Sequence, residues 1–118
     1  MKRTYATAMA VMAIGIYLIS CSKDGGDDTP ALDCNTVSNK AFNAHVNPII
    51  QSSCNVASCH AAGSTNGPGA LTNYNQVFAN RTAIRTAISN GTMPQGTTLS
   101  NSQKNSIICW IDSGAPNN

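Results

Sequence analysis

Residues Cys54–His60 have the sequence CNVASCH, in which four residues separate two cysteines and a histidine directly follows the second cysteine. Histidine is otherwise almost absent, because His45 is the only other one in the chain. A disulfide scaffold would account for the cysteines but needs no neighbouring imidazole. A zinc site could use both thiols and His60, with His45 as its one further nitrogen ligand. The segment therefore predicts a site in which two thiols and an imidazole act together.

Covalent haem attachment is a chemistry that uses all three side chains. In its common motif, C-x-x-C-H, two thiols bond the vinyl groups of haem and the adjacent histidine becomes the proximal iron ligand. This chain has two more residues between the cysteines, so they must bulge outward, and the small side chains of Ala57 and Ser58 leave room for that. The segment predicts thioether bonds from Cys54 and Cys59, and iron ligation by His60.

A second axial ligand is expected in the loop around Met93. A haem iron that carries electrons needs two strong axial ligands, and a Met thioether opposite His raises the reduction potential. Met93 is the only methionine after residue 20, and it lies in the segment NGTMPQG, residues 90–96, whose glycines can turn sharply. Pro94 favours an extended backbone at Met93. Met93 is the predicted distal ligand, and His45 is its rival.

The spacing of apolar residues predicts an all-α domain. Residues 39–53 have helical periodicity, but Pro48 is unfavourable inside a helix unless it begins or kinks a turn, so the first helix is expected to be irregular. The glycines and proline of residues 61–71 predict a loop. Residues 74–88 predict two short helices or one helix broken near Asn80. No alternating strand pattern competes with these helices.

A further helix is predicted at the end of the chain. Ser100 and Gln103 fit a capping box, in which each side chain satisfies a free backbone amide at a helix start. Isoleucines and Trp110 then form an apolar stripe, and Gly114 lies just past the expected end near Ser113. Large apolar residues are few, so the hydrophobic core is thin and a further buried group would help to stabilise the fold.

Taken in order, these features resemble the small class I cytochrome c domains, in a C-x4-C-H variant found in many bacterial lipoproteins. The residues that carry the resemblance, besides the Cys-Cys-His segment, are Pro48-Ile49-Ile50, Met93-Pro94, Leu99-Ser100, Gln103, Ile107, Trp110-Ile111 and Gly114-Ala115-Pro116. The match covers about residues 42–116. It implies a small cytochrome c-like fold of three to five short helices wrapped around one covalently bound haem.

The resemblance also implies a pairing for the two remaining cysteines. In this family the first and last helices pack across each other. Cys34 precedes the first predicted helix and Cys109 lies in the last one, so a Cys34–Cys109 disulfide becomes geometrically plausible.

The start of the chain predicts a lipoprotein export signal over residues 1–20. Lys2 and Arg3 precede a mostly apolar run that is shorter than the roughly 20 residues needed to span a bilayer. The closing tetrad LISC resembles the bacterial lipobox, which implies that Cys21 becomes the lipidated first residue of the mature protein. An uncleaved signal anchor is the alternative.

The next segment, residues 21–38, is predicted to be the lipidated N-terminus and a flexible tether, followed by the haem domain over residues 39–118. The tether is rich in Gly and Asp and has little to bury. Its acidic residues after Cys21 resemble signals that send lipoproteins to the cell surface in some Gram-negative bacteria. The expected location is a bacterial membrane facing the periplasm, with the outer membrane or the cell surface as the more specific alternatives.

Length and charge exclude several classes of function. A chain of 118 residues suits one compact domain, not a multidomain enzyme. After residue 20, five Lys and Arg residues balance five Asp residues, and charged residues make up 10% of the chain where about 25% is usual. This composition has no excess of positive charge with which to bind nucleic acid or anionic lipid.

These observations predict a membrane-tethered monohaem c-type cytochrome that passes single electrons to a redox partner protein. Two protein ligands on the iron leave no open position for substrate, so an electron carrier is expected and not an enzyme. One alternative is a haem-free, disulfide-stapled lipoprotein that acts as a binding or interaction module. Another is a haem enzyme or gas sensor in which Met93 dissociates, although no distal acid–base pair is evident for peroxide chemistry.

Overall fold

The structure is a computed structural model and describes residues 31–118. Within that range the chain is helical and has no strand, which confirms the all-α prediction for the described part. A π-helical turn (Phe42–Val46) is followed by helices α1 (Asn47–Ser53), α2 (Tyr74–Ala79), α3 (Arg81–Ser89) and α4 (Asn101–Asp112). The predicted export signal, the lipidation site Cys21 and the first part of the tether lie outside the described residues.

The first helical segment is irregular, as predicted. Its first five residues are π-helical, and the amide of Val46 donates to the carbonyl of Ala41 at 3.2 Å. Pro48 lies in the first turn of α1, where a helix needs no amide donor, so it begins the α-helix without breaking it. Regular α-helix therefore starts only at Asn47, although the periodic pattern begins earlier.

The middle of the chain forms two short helices that meet at Asn80, which is one of the two predicted outcomes. The side chain of Asn73 accepts the amide of Gln76 at 3.1 Å and caps the start of α2. The side chain of Asn80 donates to the carbonyl of Gln76 at 2.9 Å at the end of α2. Helix α3 then buries Ile84 and Ile88, which are four residues apart on one face.

Helix α4 begins with the predicted capping box. The amide of Gln103 donates to the Ser100 hydroxyl at 3.2 Å, and the amide of Ser100 donates to the Gln103 side chain at 2.9 Å. Both partners thus satisfy backbone amides that the helix itself leaves free. Ile107 and Trp110 are fully buried and form the inner face of the helix.

An aromatic cluster packs the π-helical turn against α4. The ring of Phe42 lies 5.1 Å from that of Trp110 and 5.0 Å from that of Tyr74, between centroids. The Trp110 indole donates to the carbonyl of Pro116 at 2.8 Å, and the Tyr74 hydroxyl donates to that of Ala115 at 2.9 Å. The polar ends of both large rings are therefore satisfied by the last residues of the chain, which fold back onto the cluster.

A disulfide joins Cys34 to Cys109, with the two Cα atoms 5.2 Å apart and 75 positions apart in sequence. It fastens the segment before the π-helical turn to α4. Closing a loop of this length stabilises the folded chain by about 4 kcal/mol on the chain-entropy argument. The residues of the disulfide and of the aromatic cluster lie outside α1 and α3, which border the site described next.

Candidate functional site

A cavity of about 810 Å³ opens between the end of α1, the loop that follows it, α3 and the loop after α3. This volume lies within the range of about 300–1,000 Å³ that is typical of small-molecule and cofactor sites. All four predicted haem residues line it: Cys54, Cys59, His60 and Met93. The structure thus brings together side chains from two segments that are far apart in sequence.

Backbone hydrogen bonds shape the segment between the two cysteines. The amide of His60 donates to the carbonyl of Cys54 at 3.1 Å, and the amide of Cys59 donates to that of Val56 at 3.0 Å. Val56, Ala57 and Ser58 are exposed, so the chain bulges outward between the thiols as the spacing requires. Ser58 adopts φ +67°, a left-handed conformation that is uncommon for a residue with a Cβ atom.

The imidazole of His60 is buried, with 7% of the residue exposed, and it is held by a carbonyl oxygen. Its Nδ1 lies 2.9 Å from the carbonyl oxygen of Gly69. A carbonyl can only accept, so this bond assigns the proton of the neutral ring to Nδ1 and leaves a lone pair on Nε2. Histidines that ligate metals are oriented in this way, with the second nitrogen donating to a carbonyl or carboxylate.

The thiols of Cys54 and Cys59 are both free and half-buried. Burial raises the pKa of the Cys54 thiol, and negative charge on the nearby Cys59 raises it further. Cys54 is therefore a neutral thiol at physiological pH. Two sulfurs that face one cavity and are not bonded to each other are available for covalent attachment of a ligand.

Met93 is held at the cavity by the end of α3. The carbonyl of Ala87 accepts the amides of Thr92 at 3.0 Å and Met93 at 3.3 Å, and also the Thr92 hydroxyl at 3.2 Å. Gly91 has φ +68°, which allows the sharp turn out of the helix. Pro94 lines the cavity next to Met93.

His45, the rival ligand, is placed elsewhere. It lies on the π-helical turn and is not one of the residues that line the cavity. Its Nδ1 is buried and makes no hydrogen bond within the described part of the chain. The structure therefore groups Met93 with His60, and separates His45 from both.

The remaining walls of the cavity are uncharged as far as residues 31–118 form them, since no Asp, Glu, Lys or Arg side chain of this range lines it. Leu71, Ile84 and Ile88 form apolar walls, and several Ser, Thr, Asn and Gln residues line the rest. The sequence analysis placed both isoleucines in the predicted helical stretch of residues 74–88 but not in the walls of a site. It also missed Gly69, because its role depends on a carbonyl that only the folded loop brings to His60.

Residues 31–118 contain neither a metal-binding cluster nor a membrane-spanning helix. Among residues 31–118, no group of three or more His, Cys, Asp or Glu side chains is arranged to hold a metal ion. None of the helices in this range has the length and apolar character needed to cross a bilayer.

Comparison of the chain with protein-family models, with curated proteins and with solved structures gave no match.

Proposed function

We propose that the protein is a membrane-tethered monohaem c-type cytochrome that carries single electrons. The observation that carries this proposal is that one cavity is lined by both free thiols, the oriented imidazole of His60 and the thioether of Met93. These are the side chains that covalent haem attachment and two-ligand iron coordination require.

Each of these residues fits a distinct role toward haem. Cys54 and Cys59 would form the two thioether bonds, His60 Nε2 would be the proximal ligand and the Met93 sulfur the distal one. Haem bound there would supply a one-electron Fe(III)/Fe(II) couple. With both axial positions taken by the protein, no iron position is left for substrate, which favours a carrier over an enzyme.

Other residues of the chain tune and protect the site. The hydrogen bond from His60 to the Gly69 carbonyl fixes the ring and increases the basicity of Nε2 as a ligand. Leu71, Ile84 and Ile88 exclude water from the walls, and lower local polarity is one of the factors that set a haem potential. The packing of the π-helical turn against α4, beside a cavity framed by short helices, supports a cytochrome c-like fold.

Export, lipidation of Cys21 and a periplasm-facing location are part of the same proposal, supported by the sequence of residues 1–30. Cell fractionation tests them. The full chain is expected in the membrane fraction with a lipid-modified N-terminal Cys21, and Cys21→Ala is expected to stay unprocessed. Recovery of wild-type protein with an unmodified Cys21 would contradict the lipoprotein assignment.

The haem assignment is tested on the full chain, expressed in a bacterium that has haem-attachment machinery. Intact mass under denaturing conditions is expected to include one haem, and visible spectra to show sharp low-spin bands with a weak Met-to-iron charge-transfer band. The matched control, Cys54→Ala with Cys59→Ala, is expected to keep the Cys34–Cys109 disulfide but carry no haem. Wild-type protein without haem mass and with Cys54 bonded to Cys59 would instead indicate a disulfide-stapled interaction module.

A further inference from the structure

Asn66 spans the loop and holds the backbone that carries the second thiol. Its side-chain nitrogen donates to the carbonyl of Ser58 at 2.8 Å and to that of Cys59 at 3.3 Å. Ser64 reinforces the same point, because its hydroxyl donates to the Cys59 carbonyl and accepts the amide of Asn66, the latter at 3.2 Å. Asn66 itself lines the cavity.

Asn66 bonds to backbone that has an unfavourable conformation. Ser58 is left-handed at φ +67°, and such a conformation is unfavourable for any residue with a Cβ atom. Ser58 lies in the four-residue segment between the two thiols, where the common haem-attachment motif has only two residues. A bond to the carbonyls of Ser58 and Cys59 therefore stabilises the turn that directs Cys59 and His60 into the cavity.

The residue after Asn66 lies beside the imidazole of His60. Gly67 has φ +52°, and a Cβ atom added there would lie 3.8 Å from Cε1 of His60. The turn that contains Asn66 thus packs beside the ring of the proposed proximal ligand on one side and bonds to the Cys59 backbone on the other.

We propose that Asn66 is a positioning residue, which sets Cys59 and His60 in register for haem attachment across the four-residue spacing. The inference rests on the proposed haem function. In the attachment, the Cys59 sulfur bonds one carbon of a haem vinyl group and the thiol hydrogen goes to the other vinyl carbon. This addition needs no oxidant or reductant, so its yield depends on where the sulfur is held.

The test uses the full chain, coexpressed with haem-attachment machinery, as wild type, Asn66→Ala and Asn66→Asp. Neither replacement can donate to the two carbonyls, and the aspartate side chain keeps the shape of asparagine, so both variants are expected to lose about tenfold in thioether formation at Cys59. Cys54 remains attached, which leaves one vinyl group unreacted and shifts the pyridine haemochrome band. Asn43→Ala is the matched control, because Asn43 is also exposed and does not line the cavity.

A second measurement separates positioning from general destabilisation. In the haem-free chain, amide hydrogen exchange at Cys59 and His60 is expected to become about tenfold faster in Asn66→Ala. Exchange within α4 and the Cys34–Cys109 disulfide are expected to stay unchanged, because Asn66 touches neither.

The outcomes distinguish this inference from the function on which it rests. Wild-type protein without haem overturns the proposed function, and the role of Asn66 with it. Wild type with two thioethers, next to an Asn66→Ala protein that also has two at equal yield, overturns the role of Asn66 alone, whatever the exchange rates.

Discussion

At the scale of single residues, the orientation of His60 depends on one backbone carbonyl. Gly69 presents that carbonyl from a loop in which it adopts φ +86°, a conformation that glycine alone adopts at little cost. The amide of Leu71 in turn donates to the carbonyl of His60 at 2.8 Å, so the two segments are bonded in both directions. A change in the backbone at Gly69 is therefore expected to alter the orientation of the His60 imidazole.

Gly69→Ala is expected to destabilise the chain by about 2 kcal/mol, because left-handed backbone is costly with a Cβ atom and the new atom would lie 3.4 Å from the Ser64 carbonyl oxygen. Gly63→Ala is the matched control, with φ +80° and open space around the added atom. Urea unfolding of the haem-free chain measures both. Equal losses of unfolding free energy in the two variants would show that the contact with the Ser64 carbonyl adds nothing to the cost of the left-handed backbone.

Met93→Ala tests the distal ligand. Under the proposed function it is expected to abolish the Met-to-iron charge-transfer band of the oxidised protein and to lower the reduction potential, because a thioether opposite His favours Fe(II). His45→Ala is expected to leave the band and the potential unchanged, since His45 does not line the cavity. Loss of low-spin character in His45→Ala, and not in Met93→Ala, would reverse the two roles.

At the scale of helices, α3 is joined to α4 by an ion pair on the surface. Arg85 donates from Nε to Asp112 Oδ1 at 2.6 Å and from Nη2 to Oδ2 at 2.9 Å, so the pair is bidentate. Because α3 carries Ile84 and Ile88 and leads into the Met93 loop, this pair helps to hold one wall of the cavity against the rest of the fold.

The pair between Arg85 and Asp112 is expected to make the stability of the chain depend on pH. The hydrogen bond from Arg85, followed by the attraction of its charge, lowers the pKa of Asp112 below its usual value, while partial desolvation opposes the shift. A lowered folded-state pKa stabilises the folded chain above the unfolded pKa of about 3.9, and this stabilisation is lost as pH falls through the folded value. Both side chains are more than a third exposed, so the contribution at neutral pH is expected to be below about 1 kcal/mol.

Unfolding of wild type and Arg85→Gln in urea at pH 7 and at pH 2 measures this contribution. The difference between the two proteins is expected at pH 7 and should be smaller at pH 2, because Asp112 loses its charge as pH falls toward its lowered folded-state pKa. Raising the salt concentration at pH 7 should also shrink it, because exposed charges are screened. A difference that persists unchanged at pH 2 would mean that Arg85 acts through packing.

Local chemistry explains which elements could be predicted from the sequence. The capping box at Ser100, the break at Asn80 and the effect of Pro48 each depend on residues within one helical turn, and all three are confirmed. The π-helical turn was not predicted, because it differs from an α-helix by one hydrogen-bond register and leaves the same periodicity. Likewise the cavity walls and the bonds from Asn66 depend on loops that meet only in the folded chain.

At the scale of the whole molecule, the thin core is supplemented by the disulfide. Replacing Cys34 and Cys109 together with alanine is expected to lower the unfolding free energy by up to about 4 kcal/mol, because the unfolded chain regains the freedom of a long open loop. Denaturant unfolding of the haem-free chain measures the change. The same double substitution at Cys54 and Cys59, which are not bonded to each other, is the control and is expected to cost much less.

Under the proposed function, the distribution of charge sets how the molecule would meet a redox partner. The described charged side chains lie outside the cavity lining, Arg85 and Asp112 neutralise each other, and the chain after residue 20 has as many Asp as Lys and Arg. Steered association of strongly charged proteins changes 10- to 1,000-fold with ionic strength. Here docking through the uncharged cavity mouth is expected to depend on salt only weakly.

Electron self-exchange of the haem-loaded protein tests this without a partner. Its rate, from NMR line broadening of mixed oxidised and reduced protein in neutral detergent, is expected to change about twofold or less between about 0.01 M and 0.15 M salt, although the Debye length falls from about 30 Å to about 8 Å. Ala57→Lys provides the control, because Ala57 is exposed between two residues that line the cavity. When two molecules of this variant meet, their added lysine charges repel each other. The self-exchange rate of the variant should therefore be below that of wild type at low salt and should approach it as salt rises. A steep dependence in the wild type would mean that electrons leave through a charged face away from the cavity mouth.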